Sequence, residues 1–429
     1  MAMTNTVRHA TIIDDVWVYT DWEPPRMRPG DAVAAGLGAL LRRVASRTGT
    51  REGVVILDQV AALDLGIPTE SPGGRPFDHA ELQVIGDMLA VALGDSGWKC
   101  GSVKAWTTLM ADGLPTMHLG IAPWFSDFPI GVPDKDTYDW RATADALGLW
   151  SELTGSAYLW SPGVAALRVL QDMTRAGRLK PKWKSDPVCS GSEERWAPWT
   201  GPDWSPSHTG QVWVYDKRRA GLAAAASAEV CIGQLRYTGR RTFDRRLAGW
   251  WEIEVPAWND ARLPHPCGPG VATGDIRWVT TPTLALLDDL ADQGRTGLAR
   301  VLDSRTGPGR RLFRYWAQRM EQAYQFASAL ESPVGDAVAD TVKRGAAREA
   351  HGMMASGRGS VQREDWHHTI TAMKRANMFR TVDAQLANNA DAVPLMVDDD
   401  AVTYGDPLYG LHIPVGTALG QFDMERMVL

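Results

Sequence analysis

The chain has 429 residues, 44% hydrophobic and 22% charged, with a formal net charge of −6. That length exceeds one compact core and predicts two or three domains, in the composition range of a soluble globular protein. The negative balance excludes a polycation that grips nucleic acid over its whole surface, leaving that task to local basic patches. No apolar run is long enough to cross a bilayer.

The opening segment, MAMTNTVRHATIIDDV, lacks the charged-then-apolar pattern of an export signal. Cys100, Cys189, Cys231 and Cys267 are scattered without C-x-x-C spacing, which argues against a zinc ribbon and a disulfide scaffold. A cytoplasmic location is expected. The 19 tryptophans supply both core anchors and stacking surfaces.

In chain order, VWVYTD (16–21) and GVVIL (53–57) predict buried strands. HAELQVIGDMLAVAL (79–93) predicts an amphipathic helix. VKAWTTLM and TMHLGIAPW predict a strand pair joined at 111–115, and TADALGLWSEL and GVAALRVLQDMTRAG predict helices. The first region, 1–180, is therefore α/β. A linker is expected over 181–210, which is rich in Pro, Ser, Gly and Trp and has no period. The second region, 211–429, begins with the strand QVWVYD and an Ala-rich helix. WWEIEVPAW (250–258) alternates like a strand, and TPTLALLDDLAD starts a helix with Thr-Pro at its cap and first turn. Apolar stripes predict a helix through Leu312, Trp316, Met320, Ala323, Ala327 and Leu330. They predict another through Trp366, Ile370, Met373, Ala376, Phe379, Val382 and Leu386. A third helix is expected between them, over about 338–355. Near the end, AVPLMVDDDAVTYGD predicts a β-hairpin of strands 392–397 and 401–404 with Asp398, Asp399 and Asp400 at its turn.

Like charges packed side by side repel one another. A turn does not need three carboxylates, whereas a hard divalent cation prefers oxygen ligands. Asp216, at the end of QVWVYD, can present a second carboxylate to the same cleft. Carboxylates from two strands of one sheet are what a two-metal phosphoryl-transfer site requires, with Mg²⁺ or Mn²⁺ as the expected ion. On the 338–355 helix, Arg344, Arg348 and His351 are spaced i, i+4, i+7, with Lys343 beside them, a phosphate-binding face. Read singly, each feature has a structural alternative: a solvated acidic turn, a helix cap at Asp216, a solvated basic face. Basic and aromatic residues mix in RLKPKWK (178–184), RYTGRRTFDRR (236–246) and RTGPGRRLFRYW (305–316), as in nucleic-acid grooves.

The order of these segments resembles the palm and fingers of family B DNA polymerases of the protein-primed type, found in phages and linear plasmids. The family's D-x-x-S-L-Y-P has its counterpart in YDKRRAGLAAA from Tyr215. Its K-x-x-x-N-S-x-Y-G is matched by RGAAREAHG (344–352), its I-T-A-x-x-R by ITAMKR (370–375), and its D-T-D-S by DDDA (398–401). LGQFDME (419–425) fits the Leu-Gly, aromatic and acid that follow. The resemblance covers about 140–429. It implies a palm with an antiparallel sheet and helical fingers, preceded by an RNase H/exonuclease-like α/β domain. It also implies catalytic and metal-binding roles for Asp216, Asp398 and Asp400, and nucleotide binding by Lys343, Arg344, Arg348, His351 and Gly221. The implied partners are DNA or RNA, nucleoside triphosphates and a terminal or priming protein, with no membrane. Exonuclease counterparts are Asp21, Glu23 and Asp145.

Departures are plain. The aromatic that resembles a steric gate against the ribose 2′-OH falls on Gly221, an open position expected to admit ribonucleotides. The fingers Lys is Arg344, the Asn-Ser pair is Arg348–Glu349 and the Tyr is His351. Arg141 replaces a Tyr before Asp145. The chain ends at Leu429, so a thumb and its Lys-x-Tyr motif are expected to be missing. Three readings follow: a nucleotidyltransferase, polymerase- or primase-like; a DNA-binding replication initiator or end-binding protein with weakened or lost chemistry; and a 3′–5′ exonuclease.

Overall fold

The computed structural model describes residues 10–13, 18–19, 37–38, 41–42, 53–57, 62–63, 65–70, 77–101, 103, 106–114, 116–121, 130, 133–134, 137–138, 140–158, 161–174, 182–183, 198–204, 211–268, 270–356, 361–405 and 411–428. The chain forms two compact units. The first comprises Met1–Asp172 and Arg319–Gly345, the second Met173–Gln318 and Ala346–Leu429.

The first unit holds β1 (Ala10–Ile13), β2 (Val18–Tyr19), β3 (Gly53–Leu57), β4 (Lys99–Cys100), β5 (Trp106–Met110) and β6 (Met117–Ile121). They form one sheet in the order β2-β1-β3-β6-β5-β4. β1, β3 and β6 run parallel, while β2, β4 and β5 join antiparallel. Val55, Leu57, Leu119 and Ile121 share a core with Ile85 and Leu89 of the helix His79–Leu93. That helix begins where the sequence predicts, because Asp78 and Glu81 form a reciprocal capping box. A small hairpin, β7 (Pro133–Asp134) and β8 (Thr137–Tyr138), precedes the helices Trp140–Thr154 and Pro162–Met173. The helix Pro333–Arg344 packs on Trp140–Thr154.

The second unit holds two five-stranded sheets. Its strands are β9 (Lys182–Trp183), β10 (Trp199–Thr200), β11 (Gln211–Lys217), β12 (Val230–Cys231), β13 (Arg236–Tyr237), β14 (Leu247–Glu254), β15 (Ile276–Thr280), β16 (Arg300–Arg310), β17 (Gln362–Arg363), β18 (Met396–Val397), β19 (Ala401–Gly405) and β20 (Phe422–Val428). One sheet has the order β10-β18-β19-β11-β20, and the other runs β12-β16-β14-β15 with β13 also on β16. β9 and β17 pair by themselves. The 25-residue helix Glu364–Asn388 packs against the helices Ala220–Ser227, Thr281–Asp292 and Ala350–Ser356. Met378, Phe379, Val382 and Leu386 of the long helix meet Tyr215, Val402, Tyr404 and Phe422 of the first sheet in one core.

The helix expected over 338–355 is interrupted. Pro333–Arg344 is α-helical, Gly345–Glu349 is a π-helical turn, and Ala350–Ser356 resumes the α form. A Cβ on Gly345 would lie 2.3 Å from the Pro162 carbonyl oxygen. Only glycine permits that backbone approach, and the wider π turn begins there.

Candidate functional site

β11 is an interior strand of the acidic sheet, paired antiparallel with β19 on one side and β20 on the other. Side chains alternate across a strand. Tyr215 is buried and meets the Tyr404 ring edge to face at 6.1 Å. Burial raises the pKa of both hydroxyls. With Tyr215 anchored in the core, Asp216 falls on the other face and is exposed.

The register sets the neighbours of Asp216, which stands opposite Ala401 on β19 and opposite Asp423 on β20. The β18–β19 hairpin closes with the Asp398 amide donating to the Ala401 carbonyl at 2.8 Å, leaving Asp399 and Asp400 as its two loop residues. Continuing the ladder that pairs Val397 with Val402, Asp398 stands opposite Ala401. One cross-strand row therefore reads Asp398, Ala401, Asp216, Asp423. Opposite residues in such a row lie about 5 Å apart at Cβ. The Lys217 amide donates to the Asp400 carbonyl at 2.6 Å, tying the end of β11 to the turn.

The three turn aspartates have different surroundings. Lys374, on the long helix, places Nζ 3.3 Å from Asp399 Oδ2 and 3.5 Å from Asp400 Oδ2. Asp398 Oδ1 accepts from the Asp399 amide at 2.6 Å. Asp399 Oδ1 is buried with no hydrogen-bond partner. Across the sheet, Arg218 reaches Asp423 at 2.9 Å. Lys217 lies over the Phe422 ring, and burial lowers its pKa. Among the described residues, no group of three His, Cys, Asp or Glu side chains is arranged to hold a metal ion. Arg219, between this strand and the next helix, has φ 51°, the left-handed region that costs non-glycine residues strain. Its guanidinium donates to the Thr417 carbonyl at 3.0 Å.

Lys374, Asp423 and Arg218 were not anticipated as site residues. Lys374 is the fifth residue of ITAMKR and Asp423 lies within LGQFDME. Their nearness to the acids depends on helix packing and strand register, which no local pattern encodes.

Gly221 is not an open position: a Cβ there would sit 2.2 Å from the Ala347 carbonyl oxygen and 3.4 Å from His351 Cε1. The missing side chain lets two backbones touch, so the expected gap for a ribose hydroxyl is filled by protein. The π turn also breaks the i, i+4, i+7 phase. Lys343 and Arg344 close a helix of the first unit, where Arg344 pairs with Asp340 at 3.4 Å. Arg348 and His351 belong to the second unit, and Arg348 is exposed. His351 stacks on His367 at 5.5 Å and 13°, and His367 packs edge-on to His368, which lies 3.6 Å from Glu364. Asp145 is exposed on the helix Trp140–Thr154. Asp21 and Glu23 lie outside the described residues.

The fold is a polymerase-like mixed α/β architecture with antiparallel sheets and helices. It is similar to three structures of the Phi29 DNA polymerase. The ternary complex with primer-template DNA and incoming nucleotide substrates has a TM-score of 0.53 at 11% identity, with 98% of this chain and 85% of that chain covered. The complex with single-stranded DNA gives 0.52 at 11%, covering 91% and 78%. The post-translocation binary complex with primer-template DNA gives 0.51 at 11%, covering 98% and 85%. No protein-family model matches this chain, and no curated protein does.

Proposed function

We propose that this chain is a nucleic-acid-binding replication protein of polymerase descent that carries out metal-dependent nucleotidyl transfer at the Asp216 end of β11. The observation that carries the reading is the row Asp398, Ala401, Asp216, Asp423, locked at the turn by the bond from the Lys217 amide to the Asp400 carbonyl. Asp216 with Asp398 or Asp400 would hold Mg²⁺ or Mn²⁺. A magnesium site needs only one or two carboxylates, the rest of its shell being water and substrate phosphate, so the donor set fits although the described residues hold no three-acid cluster. The buried, unpartnered Asp399 Oδ1 is a further sign of a site that expects another group. When bound, the metal neutralises phosphate charge and activates the attacking oxygen. The chain's own residues shape that site. Asp216 offers an exposed carboxylate, Lys374 holds the turn acids, and Arg218 draws Asp423 to itself. DNA or RNA, nucleoside triphosphates and a terminal or priming protein are the proposed partners.

A second reading, nucleic-acid binding without chemistry, is favoured by Lys374, a built-in cation already beside two of the acids.

Primer extension and de novo synthesis, run with Mg²⁺ and Mn²⁺ on labelled deoxynucleotides and ribonucleotides, separate the two. Synthesis by the parent that is lost in both Asp216→Ala and Asp400→Ala supports transfer. A parent that binds DNA but makes no product selects the second reading.

A further inference from the structure

The second sheet of the same unit carries an aromatic surface that the acidic site does not use. Tyr237 on β13 stands opposite Arg305 on β16, and the residue is 70% exposed. The Arg305 guanidinium lies 5.6 Å from the Tyr237 ring centroid and 5.5 Å from that of Trp278, which is 8% exposed. Trp278 in turn clusters with Trp250 and Leu235. An outward ring is thus backed by a cation, and the cation by a buried indole. Such a ring presents aromatic surface to solvent, the requirement for stacking an unpaired base.

The surrounding charge fits a polyanion on one side. Arg240, Arg241 and Arg246 are exposed and, among the described residues, form no ion pair. Their neighbours differ: Arg245 is held by Asp288 and Asp289, and Arg311 by Glu229. The next row of the sheet face holds Asp303, Glu252 and Trp278. Its two acids repel phosphates and confine a backbone to the arginine side.

We propose that Tyr237, seated on Arg305, is a stacking platform for a base of single-stranded nucleic acid, with the free arginines contacting its phosphates. This rests on the nucleic-acid reading above but not on chemistry at Asp216. The test is fluorescence anisotropy of labelled oligo(dT) and of a labelled duplex, with the parent, Tyr237→Ala and Tyr237→Phe. Tyr237→Ala should weaken oligo(dT) binding about tenfold or more, spare duplex binding and leave the salt slope unchanged, since no charge is removed. Tyr237→Phe, which keeps the ring, should bind like the parent. Parent-like binding of oligo(dT) by Tyr237→Ala, or equal loss on the duplex, overturns the platform while the nucleic-acid reading stands. A parent that binds neither probe overturns both.

Discussion

The Lys217 amide donates to the Asp400 carbonyl over 2.6 Å. That bond joins the end of the first acidic strand to a turn far along the chain. It brings the two sequence segments that carry the carboxylates to the same end of two adjacent strands. The backbone thus fixes the spacing of Asp216 and the turn, and the side chains of Lys374 and Arg218 adjust the charge around it.

Lys374 compensates Asp399 and Asp400 from the helix side. Removing one partner of a largely buried ion pair leaves the other uncompensated. Lys374→Met should lower stability by about 1–2 kcal/mol, less than a fully buried pair because Asp400 is nearly half exposed. Urea denaturation measures the loss. Millimolar Mg²⁺ should recover more stability in the variant than in the parent, as a second cation takes up the vacated charge.

Gly221 touches the Ala347 carbonyl. Gly221→Ala places a methyl carbon inside that contact, and overpacking of this kind costs about 1–3 kcal/mol. A lowered melting temperature is expected. An unchanged one would mean that the 220–227 helix and the π turn separate freely.

Arg363 is 1% exposed and pairs with Asp365 at 2.7 Å. Its fork also donates to the Cys231 and Ile232 carbonyls at 2.6 and 3.0 Å, and it lies 4.1 Å from the Trp366 ring centroid. Arg363→Met should cost about 3–5 kcal/mol by stranding Asp365. Arg363→Lys should restore little, since one ammonium cannot span the same acceptors. Chemical denaturation of both variants is the check.

His265 is held neutral: burial, then Arg375 and Arg277, lower its pKa from 6.5 to about 4. The Cys267 amide donates to its Nδ1 at 3.1 Å. Between those two values the unfolded chain binds the proton and the folded chain does not, so stability decreases as the pH is lowered. The contribution is complete above pH 6.5 and is lost as pH drops toward 4. Partial solvent exposure limits it to about 1–2 kcal/mol. His265→Gln should flatten the stability profile over that window.

Local chemistry explains which parts of this architecture were legible in the sequence. GVVIL and HAELQVIGDMLAVAL carry unbroken apolar patterns, and Asp78 and Glu81 mark the helix start, so those boundaries were readable. The hairpin around the aspartates was readable for the same reason. Its first strand is shorter than expected, Met396–Val397 rather than 392–397, because Pro394 has no amide to donate. The π turn at Gly345–Glu349 was not visible, since glycine inside a helical pattern signals a close approach only once the partner, Pro162, is known. The opposition of Asp216 and Asp423 and the reach of Lys374 depend on long-range register and packing. Sequence named both segments but not those two residues.

In the proposed site Asp216 and the turn acids hold a divalent ion together with a nucleotide. Manganese electron paramagnetic resonance tests this most directly, titrating Mn²⁺ into the protein with and without a non-hydrolysable triphosphate. The parent should bind Mn²⁺ more tightly when the triphosphate is present, and Asp216→Asn should lose that gain while remaining folded. Mn²⁺ binding that neither the triphosphate nor Asp216→Asn alters would contradict the account.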